Sequence, residues 1–95
     1  MFILSITYKV PLETVEQYID AHMAYLNGYY LSVHFVVSGR KVPRTGGIIL
    51  AKGASLEEVM KIAHADPFYI HGVSDVEVTE FVAGRTIDEL SFLKG

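Results

Sequence analysis

The side chains best suited to acid–base chemistry in this sequence are His22 and Asp66. Asp66 stands directly before Pro67 in the segment HADPFYIHG, at the point where an apolar helical pattern stops. An anion at the C-terminal end of a helix is disfavoured by the helix dipole, so an aspartate in this position is unusual. Histidine exchanges protons near neutral pH, and a neighbouring carboxylate fixes the tautomer of an imidazole ring. Together the two residues predict an acid–base pair that works without a nucleophile.

Each of the two residues also has a purely structural interpretation. A histidine on an apolar helical stripe is commonly a hydrogen-bonded core residue, and an aspartate before a proline commonly caps the backbone of a turn. His22 lies about 15 Å along its predicted helix at a rise of 1.5 Å per residue, whereas Asp66 lies at the far end of the second helix. We therefore expect the two side chains to share a cavity, with or without direct contact.

The other histidines, His34, His64 and His71, show no metal-binding spacing such as H-x-x-x-H or H-E-x-x-H. The sequence therefore predicts no metal site, and it predicts no cofactor. The six tyrosines are expected to pack in the core and at interfaces, with one or two hydroxyl groups lining a pocket. A phosphate-binding loop, a nucleotide fingerprint and a Ser-His-Asp signature are all absent from the sequence.

The composition indicates one small domain, residues 1–95, that associates with copies of itself. The chain has 95 residues, of which 51% are hydrophobic, and its mean hydropathy is +0.31. A core of this size is marginal on its own, and the apolar surface exceeds what one such core can bury. A homodimer or higher homo-oligomer is therefore predicted.

Several partners and compartments are excluded by the same totals. No cysteine is present, so disulfides and thiolate chemistry are ruled out and a cytoplasmic location fits. No apolar run is long enough to span a membrane, and the apolar N-terminus lacks the features of a signal peptide. The net charge of −3 gives no basic surface for nucleic acid. The one cationic cluster, Arg40, Lys41 and Arg44, is interpreted as a solvated hairpin loop.

The elements that must position His22 and Asp66 follow from hydrophobic periodicity and from helix-capping and turn signals. In chain order these are a strand at Phe2 to Tyr8, a helix from Pro11 to Asn27-Gly28, strands at Val33 to Ser38 and Gly47 to Lys52, a helix opened by Ser55 and ended before Asp66, and a strand at Val76 to Phe81. The order βαββαβ predicts an α+β, ferredoxin-like fold with a four-stranded antiparallel sheet. Both helices are expected on one face of the sheet, and a second copy of the chain on the other.

Three short motifs in this chain, taken together, resemble the YciI-like (YCII-related) family. They are His22-Met-Ala-Tyr-Leu26, then Ser38-Gly39 after a strand, and then Asp66-Pro67-Phe68 followed by Gly72-Val73. From Met1 to about Val82, the order of the secondary-structure elements also matches that of the family. The resemblance implies a dimer of the α/β-barrel type. It also implies that His22 and Asp66 correspond to the family's proposed His–Asp active-site pair. Two departures stand out, because Val33 occupies a position where the family usually has glycine, and Arg40 one where it often has proline.

The resemblance and the residues lead to a first functional hypothesis and two alternatives. The first is a cofactor-free lyase, dehydrochlorinase or isomerase acting on a small cyclic or aromatic compound; one activity associated with the family removes chloride from a chlorinated hydroxyquinol. Its catalytic residues would be His22 and Asp66, and its substrate-binding residues Ser38, Tyr25, Arg40 and Phe68. The second is a non-catalytic dimeric domain that binds a small molecule or serves assembly. The third, a haem-degrading or cofactor-free monooxygenase, is disfavoured in its haem form by the absence of tryptophan.

Overall fold

A computed structural model describes all 95 residues, and its centre is a four-stranded antiparallel sheet. The strands are β1 (Phe2–Tyr8), β2 (Phe35–Arg40), β3 (Gly46–Ala51) and β4 (Ser74–Glu80). They lie in the order β2-β3-β1-β4, so β1 pairs with both β3 and β4. With its helices on one face, this sheet forms the ferredoxin-like α+β fold that the element order predicts.

Four helices connect and cover the strands. They are α1 (Leu12–Glu16), α2 (Ile19–Leu31), α3 (Leu56–His64) and α4 (Pro67–Ile70), and a short 3-10 helix follows near the C-terminus at Asp88–Leu93. Ser55 caps α3 as predicted, because its hydroxyl accepts a hydrogen bond from the backbone N–H of Glu58 at 3.2 Å. None of these helices combines the length and the apolar character that crossing a bilayer requires.

The first predicted helix differs from the observed structure in its middle and at its C-terminal end. It is broken at Gln17 and Tyr18 into α1 and α2, and it continues three residues beyond Gly28 to Leu31. The prediction that Asn27-Gly28 ends the helix was therefore wrong. The helix ends instead at Leu31 with Ser32 as its C-cap, and the residue after the cap, Val33, has a positive φ of 63°. The N–H groups of Val33 and His34 donate back to the carbonyls of Tyr30 and Tyr29, which is the Schellman pattern of helix termination.

The main core lies between the sheet and the helices. Its nine buried residues come from β1, β2, β3, α2 and α3, and are Phe2, Leu4, Ile6, Leu26, Phe35, Ile49, Ala51, Val59 and Ala63. A second, smaller cluster joins Val15, Phe68 and Val73 beside α4. The two clusters fix α2 against the sheet and hold α4 in place at the end of α3.

None of the helices α1 to α4 packs on the opposite face of the sheet. Because neighbouring residues in a strand point to opposite faces, the pairing register places Ile3, Ile48, Leu50 and Val37 together on this face. Ile48 is 40% exposed and Val37 is 56% exposed. We call this surface the open face.

Candidate active site

A pocket of about 460 Å³ lies between α2 and the covered face of the sheet. Its helical wall is formed by one stripe of α2, namely Ile19, His22, Met23 and Leu26. The last three of these residues follow Ile19 by three, four and seven positions, which is the spacing that places side chains on a single helical face. The predicted apolar stripe is therefore a pocket wall as well as a core surface, and His22 is the residue of that wall that can exchange a proton.

The opposite wall comes from β1, β2 and β3 and includes two adjacent glycines, Gly46 and Gly47. A Cβ atom on Gly46 would lie 1.8 Å from the carbonyl oxygen of Ile6, a backbone atom that cannot move aside. Gly47 pairs with Arg40 across the β2–β3 ladder and places no side chain over the pocket. The sheet wall is therefore flat at this point and leaves space for a ligand.

An irregularity in β2 determines which of its side chains face the pocket. Phe35 is buried on the covered face, and simple alternation from it would send Ser38 and Arg40 to the open face. The register between β2 and β3 shifts between Phe35 and Val37, so that Ser38 pairs with buried Ile49. A shift of one residue reverses the side-chain pattern that follows. Ser38 and Arg40 consequently line the pocket.

His22 and Asp66 are in direct contact. The His22 Nδ1 and Asp66 Oδ1 atoms are 2.8 Å apart, and the two side chains are only 12% and 5% exposed. Asp66 itself does not line the pocket, because its carboxylate lies behind the imidazole ring. Because a carboxylate accepts hydrogen bonds, this contact favours the tautomer of the neutral ring that carries its proton on Nδ1, and in that tautomer Nε2 is available to a ligand.

The backbone at Asp66 differs from the expected helix end. The helix α3 ends one residue earlier, with Ala65 as its C-cap, and Asp66 is the N-cap of the short helix α4. Its Oδ1 atom also accepts a hydrogen bond from the backbone N–H of Phe68 at 2.9 Å. The position is therefore favourable for an aspartate, and the premise of an anion at an unfavourable helix terminus was wrong.

Phe68 stacks directly on the imidazole ring of His22. The ring centroids are 4.1 Å apart and the planes differ by only 4°. Phe68 is almost fully buried and also lines the pocket. The ring of His22 is thus fixed in its plane by Phe68 and in its rotation by Asp66.

Of the predicted substrate-binding residues Ser38 and Tyr25, the structure places only Ser38 in the pocket. Ser38 lines the pocket, and its hydroxyl is hydrogen-bonded to the hydroxyl of Tyr30 at 2.5 Å. Tyr25, in contrast, lies outside the pocket, because its hydroxyl donates to the carbonyl of Ile62 on α3 at 2.6 Å. Burial, followed by the nearby charge of Asp66 and by Tyr29, raises the pKa of Tyr25 well above its usual range. Tyr25 therefore joins α2 to α3 and is not among the residues that line the pocket.

Two arginines of the cationic cluster lie in the pocket wall: Arg40, which the sequence predicted as a substrate-binding residue, and Arg44, which it assigned only to a solvated loop. Arg40 comes from β2, and Arg44 from the hairpin that follows it. Arg44 Nη1 is paired with Glu16 Oε1 at 2.8 Å, whereas Lys41 of the same cluster donates to Thr7 at 3.1 Å. Neither Arg44 nor Glu16 was singled out as a site residue, because only the folded hairpin brings them together.

The other histidines make local contacts away from the pocket. His64 and His71 stack on Tyr69 and Tyr18, at centroid distances of 4.3 Å and 4.8 Å. His34 Nδ1 lies 2.7 Å from the hydroxyl of Ser32. No three histidine, aspartate or glutamate side chains gather in an arrangement that could hold a metal ion.

Sequence comparison places this arrangement in a known family. A YCII-related domain matches residues 1–82. The chain belongs to the YCII-related family. Comparison with curated proteins gave no match.

The YCII-related chain is also similar to a solved structure, 5-chloro-2-hydroxyhydroquinone dehydrochlorinase from Burkholderia phenoliruptrix AC1100 in complex with 2,5-dihydroxybenzoquinone. The similarity has a TM-score of 0.69 at 24% identity and covers 85% of this chain and 93% of that one. At this level of identity the comparison shows that the two proteins share a fold.

Proposed function

We propose that this YCII-related protein is a cofactor-free enzyme of the lyase, dehydrochlorinase or isomerase type, which uses His22 and Asp66 for acid–base chemistry on a small cyclic or aromatic compound. One observation carries the proposal: the imidazole of His22 lines the pocket while its Nδ1 atom lies 2.8 Å from a buried carboxylate. A histidine that only filled the core would not present a free ring nitrogen to a cavity of about 460 Å³.

In the proposed mechanism His22 Nε2 accepts a proton from a hydroxyl group or an acidic carbon of the substrate. Asp66 keeps the other ring proton on Nδ1 and stabilises the imidazolium that forms. The electron pair released by the substrate then expels a leaving group or shifts a double bond. In an isomerase, the same histidine returns the proton at a second position.

The solved structural neighbour supports a particular version of this chemistry. That protein is a dehydrochlorinase of a chlorinated hydroxyhydroquinone, bound to a dihydroxybenzoquinone. In an elimination of this kind, the ring carbon that bears chlorine first gains a proton while one hydroxyl group loses its proton and becomes a carbonyl. The base then removes the proton of a second hydroxyl group, a second carbonyl forms, and chloride leaves the tetrahedral carbon with the carbon–chlorine electron pair, so that the net change is loss of HCl. The flat pocket of the present chain, with Phe68 and two glycines in its walls, suits a planar ring.

We further propose that the protein acts as a homodimer in which the open faces of two sheets pack together. The apolar side chains on that face support this assembly, because an exposed apolar patch usually marks an interface. The pocket lies on the other side of the sheet, between the sheet and α2, and is accessible in such a dimer.

Chloride release from 5-chloro-2-hydroxyhydroquinone, followed together with quinone absorbance, tests the proposed chemistry. We expect wild-type protein to release chloride and His22→Gln to be slower by about 10²-fold to 10⁴-fold, which is the usual contribution of a positioned general base. Asp66→Asn should also slow the reaction strongly, because an asparagine can donate to Nδ1 and so transfer the ring proton to Nε2.

Two measurements separate loss of catalysis from loss of folding. The ring-nitrogen chemical shifts of His22 in ¹⁵N NMR should show the proton on Nδ1 in wild type and on Nε2 in Asp66→Asn. His71→Gln, which changes a histidine outside the pocket, should keep full activity. A wild-type protein that binds the ring compound without turning it over would contradict the proposal and favour a non-catalytic binding domain.

A further inference from the structure

The pocket contains one cation that has no counterion. Arg40 lines it from β2 and takes part in none of the ion pairs of the molecule, whereas Arg44 is neutralised by Glu16. Arg40 also donates no side-chain hydrogen bond within the protein. Its guanidinium group therefore has all of its donors available to a ligand.

The charges around the pocket leave room for one anion. Glu16 and Arg44 cancel, and Asp66 is occupied by His22 and by the N–H of Phe68. Arg40 is then the one cation of the pocket lining without a partner of opposite charge, since the Asp66 carboxylate is held behind the imidazole ring. One anionic group of a ligand would pair with this guanidinium, and a second anionic group would find no further unpaired cation in the pocket lining.

The local structure places Arg40 on the covered face at the edge of the sheet, where it lines the cavity and is also exposed to solvent. The register shift in β2 turns its side chain to the covered face, where the residue opposite is Gly47. With no side chain on Gly47, the guanidinium can extend over the sheet towards the pocket. Ser38 lies two residues earlier on the same face and offers a hydroxyl already oriented by Tyr30.

We propose, on the basis of the function proposed above, that the ligand of this pocket is a ring compound bearing one carboxylate, which Arg40 binds while the ring lies near His22 and Phe68. A guanidinium matches a carboxylate with two parallel hydrogen bonds, and such charge-assisted pairs are stronger than neutral ones. Arg40 is thus a specificity-determining residue, and the proton transfer remains with His22.

Calorimetric titration with 2,5-dihydroxybenzoate and with its methyl ester tests this inference, because the two probes share a ring and differ in the charge. We expect wild-type protein to bind the acid about tenfold more tightly than the ester. Arg40→Gln should remove this preference by weakening acid binding alone. Lys41→Gln removes the same charge from the neighbouring residue, whose amine points to Thr7, and should keep the preference.

The outcomes distinguish this inference from the proposed chemistry. Equal affinity of wild type for acid and ester, no binding of the acid at millimolar concentration, or an equal loss in Arg40→Gln and Lys41→Gln would each overturn it. The titrations need no turnover, so a preserved preference for the acid in a protein that releases no chloride would support the carboxylate site while contradicting the catalytic proposal. The reverse result, chloride release without a preference, would contradict the carboxylate site alone.

Discussion

At the scale of single residues, Asp66 combines a structural and a site-forming role through one oxygen atom. Its Oδ1 lies 2.8 Å from His22 Nδ1 and accepts the N–H of Phe68 at 2.9 Å. The cap holds the first turn of α4, and α4 places Phe68 against the imidazole ring. The sequence left two interpretations open for Asp66, and the structure shows both contacts. Asp66 caps the turn that begins α4, and it is also the hydrogen-bonded neighbour of His22.

Part of the pocket could be predicted from the sequence, because helical periodicity gives the face on which His22 lies. The contact between His22 and Asp66 could not be derived in this way, since it depends on how two helices cross the sheet. Two further contacts could not be derived for the same reason. Tyr30 orients Ser38 from a different element, and Arg44 meets Glu16 from a hairpin. Residue types alone do not reveal contacts between separate elements.

Tyr25 gives a test of how α2 is joined to α3. Its hydroxyl is a buried donor to Ile62, and burial, the charge of Asp66 and the proximity of Tyr29 together raise its pKa above the ordinary value of 10.0. The folded protein therefore keeps this proton while the unfolded chain loses it, so the contribution of Tyr25 to stability is present below pH 10 and declines above it. The free energy of unfolding should fall as the pH rises past about 10.

Urea denaturation of Tyr25→Phe at neutral and alkaline pH measures this effect. The variant should be less stable by about 1 kcal/mol at neutral pH, since it lacks one hydrogen bond. Its stability should fall less steeply above pH 10 than that of wild type. Tyr69→Phe, which changes an exposed tyrosine, should keep the wild-type slope. Parallel slopes in wild type and Tyr25→Phe would show that Tyr25 is not protected from ionisation.

At the scale of elements, the number and order of the strands follow from the sequence, but several boundaries do not. The break between α1 and α2 falls at Gln17 and Tyr18, where no glycine or proline marks it and where the apolar stripe runs on without interruption. The bulge in β2 has no sequence signal either, although it decides that Ser38 and Arg40 face the pocket. Alternation and periodicity describe regular elements, and the irregularities that shape this site are set by tertiary packing.

Val33 has a strained backbone conformation just beyond the C-terminal end of α2. It occupies the left-handed region at φ 63°, at the position after the cap of α2 where glycine is preferred. A β-branched residue is disfavoured there by about 1–2 kcal/mol. Glycine also makes the unfolded chain more flexible, but the free-energy cost of that flexibility is smaller than this strain. Val33→Gly should therefore raise the free energy of unfolding by about 1 kcal/mol, measured by urea denaturation.

Two variants check that the backbone conformation is the cause. Val33→Ala removes the branched side chain but remains an L-residue in the same region, so it should gain less than Val33→Gly. Gly53→Ala makes the opposite change at φ 75° in open space and should lower stability by a similar amount. A loss of stability in Val33→Gly would mean that contacts of the valine side chain outweigh its strain.

At the scale of the whole molecule, the fold was predictable because each level of the sequence agrees with it. Alternating strands, a capped helix and the order βαββαβ all lead to one sheet covered on one face. The same argument predicts an apolar open face but does not fix what covers it. A second copy of the chain is the cover that we propose for it.

Light scattering of wild type and of one open-face variant tests the dimer. Ile48 lies at the exposed apolar centre of that face, so Ile48→Glu would bury a charge without a partner in the interface. We expect a dimer for wild type and a monomer for Ile48→Glu at tens of micromolar. Ile70→Glu is the matched control, because Ile70 is 62% exposed on α4, away from the sheet, and this variant should remain a dimer. The wild-type melting temperature should also rise with concentration, as mass action requires when folding and association are linked. A monomeric wild type, or equal dissociation of both variants, would contradict packing through the open face.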